Sequence, residues 1–237
     1  MKIATWNVNG IRARAAQFCE WLERDRPDVV CLQELKADAG QVPPQCAHTD
    51  YHVYWHGSVV RAYSGVSLHV KKAFCAGSPV FSHPDFDMES RIVQAELGNL
   101  VVASVYVPNG GKDYAAKLAF MTRLAQWARR LHREGRELVL CGDINIARSD
   151  MDVHPRERKP GIIGQRPEER ELFGELLGAG LVDVGRKLDP DNAGYFTWWA
   201  PWRNMRQRNI GWRLDYVLAS PAIAARAQSC PVLAEVG

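Results

Sequence analysis

Short apolar runs rich in β-branched residues, each closing on a polar residue, constrain the fold of this chain more than any other feature. Residues 3–8 run into Asn9-Gly10, residues 28–33 into Glu34, and residues 100–107 into Pro108-Asn109-Gly110-Gly111. Residues 138–141 likewise stop at Gly142-Asp143-Ile144-Asn145. Runs of this length read as buried strands, and the Gly, Pro and Asn that follow them as turns. Further strands are expected at residues 53–56, 66–70, 92–97 and 213–219. Helical patterns lie between them. One passes through Cys19, Trp21 and Leu22 and stops at Pro27. A second, over residues 114–132, carries Leu118, Met121, Leu124, Ala125 and Ala128 on one face, with Gly135 suited to its C-terminal cap. A third opens at Pro167-Glu168-Glu169-Arg170, with proline in the first turn and acids at the positive end of the dipole. This alternation predicts an α/β or α+β sandwich. The strand ends of the first half carry Asn7 and Glu34, and those of the second Asn109, Asp143 and Asn145. That pattern suits two packed sheets presenting polar groups at one rim.

With 237 residues the chain can bury one large core, so a single domain over 1–237 is expected. The net charge of +3 permits a nucleic-acid partner without implying one. The six cysteines show no CxxC pair or zinc-like spacing and read as reduced thiols of an intracellular protein. The N-terminus turns polar too soon for a signal peptide, and no apolar run is long enough to span a membrane. These features predict a cytoplasmic, nucleoid-associated protein. Residues 152–166 lack periodicity and hold His154, Arg156, Arg158, Lys159 and Arg166, a basic loop.

Carboxylates and amide carbonyls at strand ends are hard oxygen ligands suited to magnesium. Taken singly, each has a plainer reading. Glu34 could cap a helix or pair with Lys36, and Asp143 and Asn145 could be turn formers. Tyr106 could be a strand aromatic, and Asn109 a turn residue. Trp198, Trp199, Trp202 and Trp212 could be core, and core is expected for at least two of them. Arg203, Arg206 and Arg208 suit phosphate contacts or a solvated basic face equally.

Six strings in order change that weighing: Trp-Asn-Val-Asn-Gly-Ile-Arg (6–12), Leu-Gln-Glu-Leu-Lys (32–36), Tyr-Ser-Gly-Val (63–66), Val-Tyr-Val-Pro-Asn-Gly (105–110), Cys-Gly-Asp-Ile-Asn-Ile-Ala (141–147) and Gly-Trp-Arg-Leu-Asp-Tyr (211–216). Together they resemble the exonuclease III family of apurinic/apyrimidinic endonucleases, within the endonuclease/exonuclease/phosphatase superfamily. The resemblance spans almost the whole chain. It implies a four-layered α/β sandwich of two packed mixed β-sheets flanked by helices, of the DNase I type. It also implies a magnesium-dependent phosphodiesterase, with manganese as substitute metal, acting as a monomer on double-stranded DNA with abasic sites or damaged 3′ ends. Cleavage 5′ to the abasic site would leave a 3′-OH, with 3′→5′ exonuclease and 3′-phosphatase activities alongside.

Position by position, the resemblance assigns Glu34 to the metal and Asn7 beside it. Asp143 would orient the attacking water, and Asn145 would position that aspartate and contact the phosphate. Tyr106 and Asn109 would bind the phosphate, and Asp215 would hold a catalytic histidine. Arg91 and Tyr63 would contact DNA. Trp212 would line the pocket for a flipped-out abasic sugar. On the residues alone, Trp198 suits that pocket or a wedge into the duplex, and Arg203 and Arg206 suit phosphate contacts.

Two departures accompany this. The family's Ser-Asp-His-Ala/Cys-Pro motif and last strand would begin where the chain ends, so the natural protein is expected to be longer and the 237-residue form impaired. Residues 161–170 keep the Pro-Glu-Glu-Arg helix start but lack the asparagines and phenylalanine usual before it. The alternatives are a catalytically impaired DNA-binding form and a phosphodiesterase for a substrate other than DNA.

Overall fold

The structure, a computed structural model, describes residues 1–57, 63–75, 77–159 and 161–236. Its backbone forms two compact units. One comprises Met1–Tyr106 and Val139–Asp143 with the C-terminal tail, the other Val107–Leu138 and Ile144–Leu233.

In the first unit, β1 (Ile3–Asn7) is followed by α1 (Ile11–Asp25) and β2 (Val29–Gln33). Gly10, at φ +105°, makes the turn from β1 into α1, a conformation that costs glycine little. Ile11, Ala15, Phe18, Trp21 and Leu22 recur at helical spacing and form the buried face of α1. Arg26, in the left-handed conformation, returns its N–H to the Leu22 carbonyl, so the helix ends just before Pro27, as the sequence predicts. With β3 (Tyr51–His56) and β4 (Val66–Lys71), the strands order as β1-β2-β4-β3. β1 pairs parallel with β2, whereas β4 is antiparallel to both its neighbours, making the sheet mixed. β2 is buried throughout, but β1 is only half-buried, unlike its expected buried state. Its reason is position: β1 stands at the end of the strand order.

A second run of strands in this unit is β5 (Val80–Ser82), β6 (Ile92–Leu97), β7 (Leu100–Tyr106) and β8 (Glu137–Asp143), side by side in that order. The two strand layers pack through apolar faces and share a buried polar stitch. Gln33 donates to Ser104 Oγ at 3.0 Å, and Ser104 donates to the Leu32 carbonyl at 3.1 Å. Buried polar groups are tolerated when paired in this way.

In the second unit, α2 (Tyr114–Arg133) packs against α3 (Pro167–Gly178). Asp113 caps α2 by accepting the Ala116 N–H at 2.9 Å. There follow β9 (Val182–Asp183), α4 (Val184–Leu188), the hairpin β10 (Trp198–Trp199) and β11 (Gly211–Trp212), β12 (Asp215–Ala219) and α5 (Pro221–Ala224). β9 pairs with β12. The predicted basic loop is more ordered than its composition suggests. It holds short 3-10 turns at Asp150–Asp152 and Pro155–Glu157 and a bridge from Val153 to Trp212. The chain thus forms two mixed sheets flanked by helices, the predicted α/β class. Among the described residues no helix is long and apolar enough to cross a membrane.

Candidate active site

Asn7, Glu34, Tyr106 and Asp143, distant in sequence, meet in the first unit. Asn7 ends β1, and its side-chain amide donates to Glu34 Oε1 at 2.8 Å and to Asp143 Oδ2 at 3.0 Å. One amide thus fixes two carboxylates. The Asn7 carbonyl oxygen meanwhile accepts the Asn9 N–H at 3.0 Å, which sets the orientation of the amide. Glu34 follows β2 with φ +52°, a left-handed conformation unusual for glutamate. Hydrogen bonds on both sides hold it there. Gly10 N–H donates to the Glu34 carbonyl at 2.8 Å, and Leu35 and Lys36 N–H donate to the Gly65 and Ser64 carbonyls. Sparsely populated backbone of this kind persists only where the surroundings over-determine it.

Asp143 ends β8 directly after Gly142. A Cβ on Gly142 would lie 1.9 Å from the Val105 carbonyl oxygen, so only glycine lets β8 approach β7 this closely. Tyr106, the last residue of β7, is buried. Burial pushes its phenol well above the ordinary 10, and the charges of Glu34 and Asp143 push it further. The hydroxyl is therefore a proton donor at any physiological pH. Lys36, at φ +50°, sets its ammonium 2.8 Å from Glu34 Oε2, so the salt bridge and the carboxylate cluster coexist.

Arg91 is buried, with 2% of its surface exposed. Its guanidinium donates to the Tyr63 hydroxyl at 2.6 Å and to Glu89 at 2.7 Å, and lies 5.0 Å from the ring centres of both Tyr63 and Tyr106. This arginine braces two tyrosines rather than reaching outward.

In the second unit, Asn109 Nδ2 lies 3.3 Å from Asn145 Oδ1, and Asn145 Nδ2 donates to the Val107 carbonyl at 3.0 Å. Lys117, which belongs to none of the sequence motifs, holds both asparagines. Its fully buried ammonium donates to the Asn109 carbonyl at 3.1 Å and the Asn145 carbonyl at 2.8 Å, and pairs with Glu169. Glu169 Oε2 in turn accepts the Gly164 and Arg166 N–H at 2.6 and 3.0 Å. Lysine is rarely buried without a charge partner, so a lysine on an apolar face was the available signal.

Asp215 opens β12, where its N–H and that of Leu214 share Thr197 Oγ1 at 3.0 Å. Trp198 and Trp212 face each other across the β10–β11 hairpin as an edge-to-face pair with centroids 6.2 Å apart. The expectation that at least two of the four tryptophans would be core fails. Trp198 and Trp202 are 42% and 58% exposed, and Trp199 and Trp212 are half-buried. Arg206 stacks 5.2 Å from the Trp199 ring centre, and Arg203 is exposed on the same loop.

The two carboxylates that the Asn7 amide nitrogen brings together are hard oxygen donors of the kind a divalent cation takes.

Residues 4–236 match the Endonuclease/Exonuclease/phosphatase family. An exodeoxyribonuclease of Bacillus subtilis (strain 168) is 34% identical over 100% of this chain and 94% of its own length. An AP endonuclease from Archaeoglobus fulgidus superposes with a TM-score of 0.86 at 29% identity, covering 97% of this chain and 90% of that one. A 3′ phosphatase from Neisseria, solved bound to product DNA hairpin, gives a TM-score of 0.85 at 32% identity, with 97% and 90% coverage.

Proposed function

Because the chain belongs to the endonuclease/exonuclease/phosphatase family and is a divalent-metal-dependent hydrolase of phosphodiester bonds, we propose that it cuts DNA 5′ to abasic sites with magnesium as its metal. Processing of damaged 3′ ends accompanies that cut. The observation that carries this reading is the Asn7 amide shared by Glu34 and Asp143 beside a phenol held protonated.

Glu34 and the Asn7 carbonyl would hold the metal, which when bound neutralises charge on the phosphate oxygens. Asp143, oriented by the Asn7 amide, accepts a proton from the attacking water and aims its lone pair at phosphorus, and the P–O3′ bond breaks as the 3′ oxygen leaves to take a proton from solvent. Tyr106 stays protonated through the whole physiological range and donates its O–H to a non-bridging oxygen, where charge grows in the transition state. Arg91 fixes the phenol through ring contact on one side, with Tyr63 on the other. In the second unit, Asn109 and Asn145, held by Lys117, would offer neutral amide donors to a phosphate. Trp212 and Trp198 offer apolar edges for an extruded sugar, and Arg203 and Arg206 neutralise backbone phosphates.

The test is a duplex carrying one abasic site, incubated with magnesium, with chelator, and with Asp143→Asn. Incision 5′ to the site that chelator and the substitution both abolish supports the reading. Incision that persists in chelator, or that Asp143→Asn leaves intact, refutes it. A second reading, repair of 3′-phosphate ends as the principal activity, is favoured by the likeness to the Neisseria 3′ phosphatase. The same assay on a 3′-phosphorylated primer ranks the two.

A further inference from the structure

Three segments of the first unit bring nitrogen and oxygen ligands together at a place the Glu34 cluster does not include. His56 ends β3, His83 directly follows β5, and Asp87 lies in the turn before β6. One ligand atom from each lies within 4.8 Å of the other two. We propose that His56, His83 and Asp87 form a binding site for a borderline transition cation of the zinc class.

The carboxylate is already fixed. Asp87 is buried, and it accepts the Arg91 N–H at 2.9 and 3.1 Å, the Ile92 N–H at 3.1 Å and the Glu89 N–H at 3.3 Å. Backbone donors of this kind orient metal-binding carboxylates. His56 Nε2 lies 2.9 Å from Asp87 Oδ2, a separation within reach of two ligands on one ion. The imidazoles of His56 and His83 stack with centroids 4.5 Å apart and planes inclined by 16°. In that arrangement a nitrogen of each ring lies within 4.8 Å of the same carboxylate. Zinc-class ions take nitrogen at about 2.0–2.1 Å, so ligand atoms in a tetrahedral site stand about 3.3 Å apart. Closing from 4.8 Å requires one ligand to move by an ångström or two. His83 is exposed and can do so by side-chain rotation alone.

The ligand types decide the ion. Two imidazoles and one carboxylate select zinc-class metals over magnesium, which prefers oxygen. Three protein ligands leave a fourth position for water. The plainer reading, a hydrogen bond tying β3 to the β5–β6 turn, accounts for His56 and Asp87 but not for His83. The His83 ring, exposed on its other side, is held there by its stack on His56. Occupancy would also reach the neighbouring site. The carboxylate that binds the ion carries the Arg91 N–H, and the Arg91 side chain braces Tyr63 and Tyr106.

The experiment is a titration of the full chain with cobalt(II), in a large excess of magnesium so that the oxygen cluster is already filled. Visible ligand-field bands report geometry, and calorimetry with zinc gives affinity. Binding of one ion per chain without a thiolate-to-cobalt charge-transfer band is expected. His83→Ala, at an exposed position, should leave folding intact and weaken binding by at least about tenfold. Absence of binding, unchanged affinity in His83→Ala, or a thiolate band that traces the ion to a cysteine would each overturn the proposal. His56→Asn must weaken binding as well, and unchanged affinity there would have the same force.

Discussion

Replacing Lys117 by methionine keeps the volume of the side chain and removes its charge. In the second unit the ammonium is wholly buried, pairs with Glu169 at 2.5 Å, and donates to the Asn109 and Asn145 carbonyls. Removing one member of a buried pair typically costs about 3–5 kcal/mol, because the remaining charge stays buried without its partner. Two carbonyls also lose a donor, each worth about 1 kcal/mol. Glu169 keeps the Gly164 and Arg166 N–H, which offsets part of the loss, so about 4 kcal/mol is the expected total. Against an overall stability of about 5–15 kcal/mol, this is a large fraction. With a urea slope of about 2–3 kcal/mol/M, the unfolding midpoint should fall by roughly 1.5–2 M. The double variant Lys117→Met/Glu169→Gln removes the stranded charge while its amide oxygen can still accept the same two N–H groups. It should recover about half the loss. Turnover of the folded Lys117→Met protein should drop as well, since both asparagines lose their anchor. A single variant within about 1 kcal/mol of the parent would refute the reasoning, as would a double variant no more stable than the single.

Asp143→Asn should reduce turnover by about a hundredfold or more while leaving the fold intact, and Tyr106→Phe should do so by about a hundredfold, with binding little changed; single-turnover kinetics on an abasic duplex measure both. Gly142→Ala places a Cβ 1.9 Å from the Val105 carbonyl oxygen and should cost several kcal/mol, about 3 or more, read as a fall in thermal midpoint. His69 is buried, with Nε2 3.0 Å from Ser67 Oγ, and burial pushes its ring from 6.5 down to about 3. Its folded value lies below the unfolded one, so the unfolded chain takes up the proton first. Stability from this group is full above pH 6.5 and falls as pH drops toward 3, by at most about 1.4 kcal/mol per pH unit. Urea midpoints at about pH 7.5 and about pH 5 should differ more in the parent than in His69→Phe.

The strand-and-turn rhythm was readable because it is local. Runs such as Val29–Gln33 and Leu100–Tyr106 announce themselves by composition, and Pro27 marks the end of α1 whatever happens elsewhere. Short elements were not readable. β5, β9 and β10 span only two or three residues and owe their existence to partners such as β6, β12 and β11. The residues of the candidate site were singled out by their place at strand ends, yet what fixes them lay outside the reach of local pattern. The Asn7–Asp143 contact joins residues 136 apart, and Lys117 meets Asn145 28 residues away. The left-handed backbone at Glu34 carries no mark in the sequence, since nothing there is glycine. The tryptophans misled for a related reason. Large apolar side chains are mostly buried on average, but a two-residue hairpin has too little depth to hide Trp198.

Aspartates of the same type serve two opposite purposes in this chain, and the cations around them decide which. Asp152 and Asp183 are saturated. Arg213 donates to Asp152 at 2.7 Å and to both oxygens of Asp183, while Arg186 adds a second contact to Asp152 at 2.7 Å. Burial alone would raise the Asp152 carboxyl, but the two guanidinium groups and Ser149 outweigh it and hold the carboxyl below its ordinary 3.8. Such a network stabilises the fold above that pH and has nothing left to offer a ligand. Asp143 and Glu34 are served differently. They share one neutral amide, and the only ammonium beside Glu34 among the described contacts is that of Lys36 on a mobile-length side chain, one-third exposed at 35%. Their negative charges add to the effect of burial on Tyr106, whose phenol stands well above its ordinary value. Two carboxylates held on one neutral amide, rather than locked by paired guanidinium groups, are an arrangement suited to a hard cation. Removing the Lys36 ammonium, which competes for Glu34, should therefore strengthen magnesium binding. Lys36→Met is the substitution to try, since the Lys36 side chain is partly exposed and its loss leaves the Asn7 amide bridge in place. A magnesium affinity, read by calorimetry, that falls in Lys36→Met would refute the reasoning.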